Sequence, residues 1–161
     1  MGLDITAYKN LKLTNIPSEV EDYDWEKYVV LYNNLAFNTF EELNEDYLYE
    51  HEESYSFHAG NYSGYNAWRD ILEKFASALG TKNNFEKNNF EKLINFSDCE
   101  GTIGPDTSAL LAYDFVYYQN QAEAFAVMLK GKETSEWFMY CYNEWRKCFE
   151  LASQNGAVKF H

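Results

Sequence analysis

Residues 57–70 read FHAGNYSGYNAWRD, and within them a strand pattern gives way to a helix pattern across two glycines. Upstream, residues 54–58 alternate Tyr55 and Phe57 with Ser54, Ser56 and His58, the period of two expected of a strand. Downstream, Tyr65, Trp68, Ile71, Leu72, Phe75, Ala76 and Leu79 recur at helical spacing until Gly80, and Ser63 has the chemistry of an N-cap. A strand that turns directly into an aromatic helix sets an α+β expectation.

The flanking chain reads the same way. Residues 3–13, LDITAYKNLKL, set Leu3, Ile5 and Ala7 against Asp4, Thr6 and Tyr8, a strand with one buried face. Pro17-Ser18 breaks the pattern, residues 19–25 read as loop, and YVVLY at 28–32 reads as a short buried strand. Residues 33–52 have no clean period and read as mostly irregular, with one helical turn. The pentapeptide NNFEK occurs twice in residues 83–92. Two copies are too few for a repeat architecture, so the duplication reads as a surface linker whose second copy opens a short helix at Phe90, Leu93 and Ile94.

Pro105 or Asp106 starts a helix through Asn120 with Leu110, Leu111, Phe115 and Tyr118 inward. Residues 121–130 continue helically to Gly131. Trp137, Phe138, Cys141, Trp145, Cys148, Phe149 and Ala152 then form the apolar stripe of a last helix, and AVKF at 157–160 reads as a returning strand. The expected fold is a single α+β domain over residues 1–161: a small, mostly antiparallel sheet with helices packed on one side and a helical C-terminal half.

Composition bounds the function. With 161 residues, 46% hydrophobic and 24% charged, the chain is long enough and apolar enough for a real core. Aromatic residues make up 19%, enough for that core plus spare rings at a surface or pocket. No apolar run nears the ~20 residues of a membrane span, and the opening MGLDITAYKN lacks a basic region followed by an apolar block, so no signal peptide is expected. Cys141 and Cys148 stand seven apart on one helix, about 10 Å along its axis, too far to bridge. The three cysteines read as reduced thiols packed as small apolar groups, in a cytoplasmic setting.

Net charge is −13, and residues 19–53 carry −11 of it: twelve acids against Lys27. Such a surface repels nucleic acid and anionic membrane and attracts a basic protein face.

Two glycine-containing stretches carry the candidate chemistry. In the first, a helix N-terminus offers unpaired N–H groups to an anion, with His58 and Arg69 as positive neighbours and Tyr62, Tyr65 and Trp68 as stacking rings. In the second, residues 96–106 (FSDCEGTIGPD), Asp98, Glu100 and Asp106 surround another helix start and suit hydroxyls, amino groups or a cation. Turns and helix caps account for the same residue types without any ligand. Set side by side, the two stretches have the polarity of a nucleotide-like small molecule. The candidate ligand-binding residues are His58, Tyr62, Ser63, Tyr65, Trp68, Arg69, Asp98 and Glu100. No GxSxG, phosphate-binding loop, HExxH or paired CxxC is present, so no catalytic residue is assigned and no cofactor or metal is expected.

MGLDITAY at the start, HAGNYSGYNAWR in the middle, NFSDCEGTIGP later and FELASQNGAVKF near the end together resemble a group of small uncharacterised bacteriophage and prophage proteins. Asn61 stands where that group usually has Ser. The resemblance implies a phage-encoded protein acting in the host cytoplasm but implies no activity; small phage proteins of this size often counter host immunity. Three readings stay open. One is a sponge that sequesters a nucleotide-type signal in the two-loop site. Another is an acidic nucleic-acid mimic that inhibits a host defence protein. The third is an enzyme using Asp98, Glu100 or His58 as acid or base. A homodimer through the spare aromatic surface is a further expectation.

Overall fold

The computed structural model describes residues 2–80, 89–97 and 99–161. In chain order its elements are β1 (Leu3–Lys9), β2 (Lys12–Pro17), β3 (Tyr28–Val29), β4 (Tyr47–Glu50), β5 (Glu53–Gly60), α1 (Tyr62–Gly80), α2 (Glu91–Ile94), β6 (Gly101–Ile103), α3 (Pro105–Tyr117), α4 (Gln119–Met128), α5 (Lys132–Ala152) and β7 (Ala157–Phe160). The α+β expectation holds, with a helical C-terminal half.

The sheet architecture is built on one long bent ribbon. β1 and β2 follow one another across a bend at Asn10, and β4 and β5 run antiparallel beside them across a bend at His51-Glu52. Asn10 takes φ +51°, a left-handed conformation that Asn tolerates better than most side chains. Its side chain donates to Glu52, and the N–H groups of Asn10 and Leu11 donate to the carbonyls of Gln154 and Asn155 at 2.9 and 2.8 Å.

Above the bend the ribbon joins a four-stranded sheet, β5-β1-β7-β6; below it the ribbon joins β3 in a three-stranded sheet, β2-β4-β3. All the strand pairs are antiparallel. The sequence led us to expect one sheet; the bend makes two.

Alternation divides the larger sheet into two unlike faces. Ile5, Ala7, Phe57, Ile103, Val158 and Phe160 point into the main core beneath the helices. There α5 lies against β1, β5 and β7, and Trp145 meets Phe57 edge-on at 5.2 Å and stacks on Phe149 at 5.9 Å. Each such ring, fully buried, contributes about 1.5–3 kcal/mol. On the opposite face, Tyr8 and Ala157 lie under Val29, Leu31 and Tyr49 in a small second core. The far end of that face, at Asp4, Ser56, His58 and His161, is open to solvent.

The turn from α5 into β7 depends on one glycine. A Cβ on Gly156 would lie 1.8 Å from the Tyr8 carbonyl oxygen, so only glycine lets β7 close against β1.

Several local expectations are corrected. Residues 47–50 form a strand rather than irregular chain, because the ribbon supplies hydrogen-bond partners that a four-residue pattern cannot announce. Residues 83–88 of the duplication lie outside the described residues, but its last part is no surface linker. Phe90 is fully buried against Phe115 (4.8 Å) and Phe75 (5.8 Å), in a left-handed conformation at φ +62°. The long third helix breaks at Tyr118 into α3 and α4. Leu110 points outward, one position off the buried stripe of Leu111 and Phe115, and Trp137 sits at the edge of α5. Burial pushes the Cys141 thiol up to about 12, so it is an inert packing group.

Candidate functional site: the glycine-loop seam and the acidic lobe

The two glycine stretches meet. From the first turns of α1, Tyr62 donates to the Ser97 carbonyl at 3.2 Å and Tyr65 to the Phe96 carbonyl at 2.6 Å. One turn further on, Arg69 donates to the Ile94 carbonyl at 2.7 Å and to Asn66 Oδ1 at 2.6 Å. Its guanidinium also lies 5.5 Å from the centre of the Tyr65 ring. The seam is therefore a zip of side-chain donors onto the carbonyls around the end of α2, where Arg69 also suits the negative end of a helix.

That arrangement redefines several residues. Tyr65 and Trp68 are core, at 0% and 2% exposure, and burial pushes the Tyr65 phenol up. Arg69 acts as a clamp on backbone, not as a free anion partner. Asn61, not Ser63, caps α1: Asn61 Oδ1 accepts the Gly64 N–H at 2.8 Å, while Ser63 stands exposed inside the first turn.

His58 does not join the seam. Strand alternation sends it to the opposite face of the sheet, where Nδ1 meets Asp4 Oδ1 at 2.8 Å. Glu100 is exposed, and its carbonyl accepts from the Asn34 side chain at 3.0 Å. Asp98 lies outside the described residues.

The second glycine stretch is a packing seat. Gly101 has φ +127°, and a Cβ there would lie 2.8 Å from Asn34 Cβ and 3.2 Å from the Phe96 ring. A Cβ on Gly104 would lie 2.6 Å from the Phe40 ring. Both glycines thus make room for residues 33–40, which run along β6 as a strap. Thr39 bridges to Ile103, its hydroxyl donates to the Thr102 carbonyl at 3.0 Å, and its own carbonyl accepts the Gly104 N–H at 3.3 Å.

The strap ties the acidic segment to the body. Of the twelve acids in residues 19–53, all but the half-buried Glu50 are exposed. Lys27, the single base, sits 3.6 Å from Glu50 and is held above its ordinary pKa by Tyr28 and then Glu50. Exposed apolar side chains stand among these acids. Trp25, between Asp24 and Glu26, is 74% exposed, and Leu13, Val20 and Tyr47 are also out. At the bend beneath them His51 is buried with its ring 4.8 Å from Tyr8, and burial holds its imidazole below the ordinary value.

Sequence reasoning found the acids but missed Trp25 as a surface residue. The signal was available: a tryptophan between two acids in a segment with no helical or strand period. The strap left no such signal, because the bonds that tie it to β6 are to residues some 60 positions away.

No family model, no curated protein and no solved structure matches this chain. Among the described residues no helix is long and apolar enough to cross a membrane.

Proposed function

We propose that this protein acts by binding another protein, and that its acidic lobe, residues 13–53, docks on a basic, nucleic-acid-binding face of that partner. The observation that carries the reading is the near-complete exposure of the lobe's acids around protruding Trp25. Dense negative charge steers a basic partner and sets the rate of encounter, and an exposed aromatic supplies the desolvated anchor that charge alone does not. The resemblance to phage proteins directs the partner to the host cytoplasm, with a defence protein as the target.

The test is displacement. Labelled duplex DNA bound to a host DNA-binding defence protein should be released by the wild-type chain, with less release as salt rises. Reversing Asp22, Glu26, Glu41 and Glu42 to Lys should weaken release at least tenfold, and Trp25→Ala should weaken it less. Release that survives the reversal sinks the proposal.

A second reading, sequestration of a nucleotide-type signal, is favoured by the contact between the two glycine stretches. Tyr65 and Arg69 are already committed to carbonyls there, so a ligand would have to displace those bonds. Thermal shift with nucleotides separates this reading from the first: a sponge gains stability by mass action and returns its ligand intact.

A further inference from the structure

The face of the larger sheet away from the helices carries a row of polar side chains that neither reading uses. Thr6 pairs with Ser56 on one side and with Lys159 on the other, and Lys159 pairs with Thr102, so these four residues cross all four strands on the face away from the helices. His161 follows Phe160 at the end of β7 and exchanges backbone hydrogen bonds with Asp4 at 2.8 and 3.1 Å. Directly paired side chains in an antiparallel sheet project to the same side.

Three features of this row are unusual for a solvated sheet face. Lys159 is half-buried, yet no carboxylate lies within ion-pair distance of it among the described residues; its ammonium rests 5.5 Å from the centre of the Tyr32 ring. The other half-buried bases among the described residues, Lys9, Arg69 and Arg146, are all ion-paired or bonded to carbonyl or amide oxygens. In a protein of net charge −13, a desolvated cation without a counter-ion costs stability unless something else meets it. Next, the hydroxyl of Thr6 links Ser56 Oγ at 2.8 Å with His161 Nε2 at 3.0 Å, gathering three donor-capable groups beside Lys159. Finally, Thr102 is fully buried on the same row and its hydroxyl has no hydrogen-bond partner among the described residues.

We infer that this row is a binding site for a phosphate-type oxyanion, held by Lys159, Thr6, Ser56 and His161. Donors drawn from β1, β5 and the end of β7 suit a tetrahedral oxyanion, whose oxygens point apart, better than a planar carboxylate, which favours the fork of an arginine. Burial pulls the Lys159 ammonium below its ordinary pKa, the effect that a bound anion would reverse. The one carboxylate in the neighbouring row, Asp4, is engaged by His58 at 2.8 Å. The site lies outside the acidic lobe and outside the glycine-loop seam, so it stands or falls independently of both readings of function.

The experiment is a titration of the full chain with inorganic phosphate and, separately, with a nucleoside monophosphate, at constant ionic strength. Amide and side-chain chemical shifts provide the readout. Saturable shifts at Thr6, Ser56 and His161 are expected, with affinity weakened at least tenfold in Lys159→Met, which keeps the aliphatic stem. Ser56→Ala, at an exposed position on an edge strand, should weaken binding severalfold and guards against a folding defect in the first variant. Equal affinity for the two probes assigns free phosphate, and tenfold tighter binding of the ester assigns a phosphorylated small molecule. Shifts that rise linearly without saturating, or that are the same in Lys159→Met, overturn the site.

Discussion

The two halves of the bent ribbon are continuous strands of one ribbon, yet they differ in pattern and meet opposite fates. Above Asn10 and His51, β1 and β5 alternate apolar and polar residues, and the apolar set is sealed under α5. Below the bend, β2 (KLTNIP) and β4 (YLYE) lack that alternation, β2 is exposed along most of its length, and no helix covers it. The difference teaches where stability and recognition reside. The upper half is held by a large aromatic core. The lower half keeps only the small core of Tyr8, Val29, Leu31, Tyr49 and Ala157, with the acids arranged outside it.

The comparison can be broken at its strongest point. Gly156→Ala places a methyl 1.8 Å from the Tyr8 carbonyl and forces β7 off β1. Denaturant unfolding should report a loss of more than about 3 kcal/mol, since backbone has to move. A loss under about 1 kcal/mol would mean that the upper half is not what holds the fold.

Tyr65→Phe comes next. It strands the Phe96 carbonyl in a buried seam, and the expected cost is about 1–3 kcal/mol by the same measurement. A negligible cost would show that the seam between the glycine stretches is not a structural join.

A smaller effect should appear with acid at the hinge between the halves. His51 is held below the ordinary imidazole value of 6.5 by burial, so its neutral form is favoured in the fold. Its contribution is present above the unfolded-state value and is lost as pH falls from there toward the folded value, because the unfolded chain takes up the proton first. Stability measured from pH 7 to 5 should therefore decline, and His51→Gln should flatten that decline. An unchanged slope in the variant would remove His51 as its cause.

Smallest of all should be the stability change on reversing exposed acids of the lobe. Surface substitutions of this kind typically stay within about 0.5 kcal/mol each, and relief of self-repulsion makes a slight gain at low salt the expected sign. The same variants should lose partner binding. Large destabilisation instead would show that the lobe is structural and erase the contrast between the two halves.

Much of the fold was legible because periodicity records burial directly. The alternation in residues 3–9 and 54–58 and the stripe on α5 each name a face without reference to any distant residue. The glycine stretches were legible as special backbone and were assigned the wrong reason. Gly101 and Gly104 are small because Asn34 and Phe40 pack onto them, contacts that no local pattern encodes. Arg69 looked like a free cation because the Ile94 carbonyl that it binds lies 25 positions along the chain.

By itself, the sequence determined the α+β class, the aromatic core, the placement of −11 of its −13 charges in residues 19–53, and the strand-to-helix turn at residues 57–70. These follow from period, composition and charge, which are properties of neighbours in the chain. Only the tertiary structure decided that the ribbon bends into two sheets and that the seam's donors close on backbone. It also set Thr6, Ser56, Lys159 and His161 in one group. Each of those depends on strand register or on contacts between residues far apart in the chain, and a one-residue change of register would have sent the same side chains to the other face.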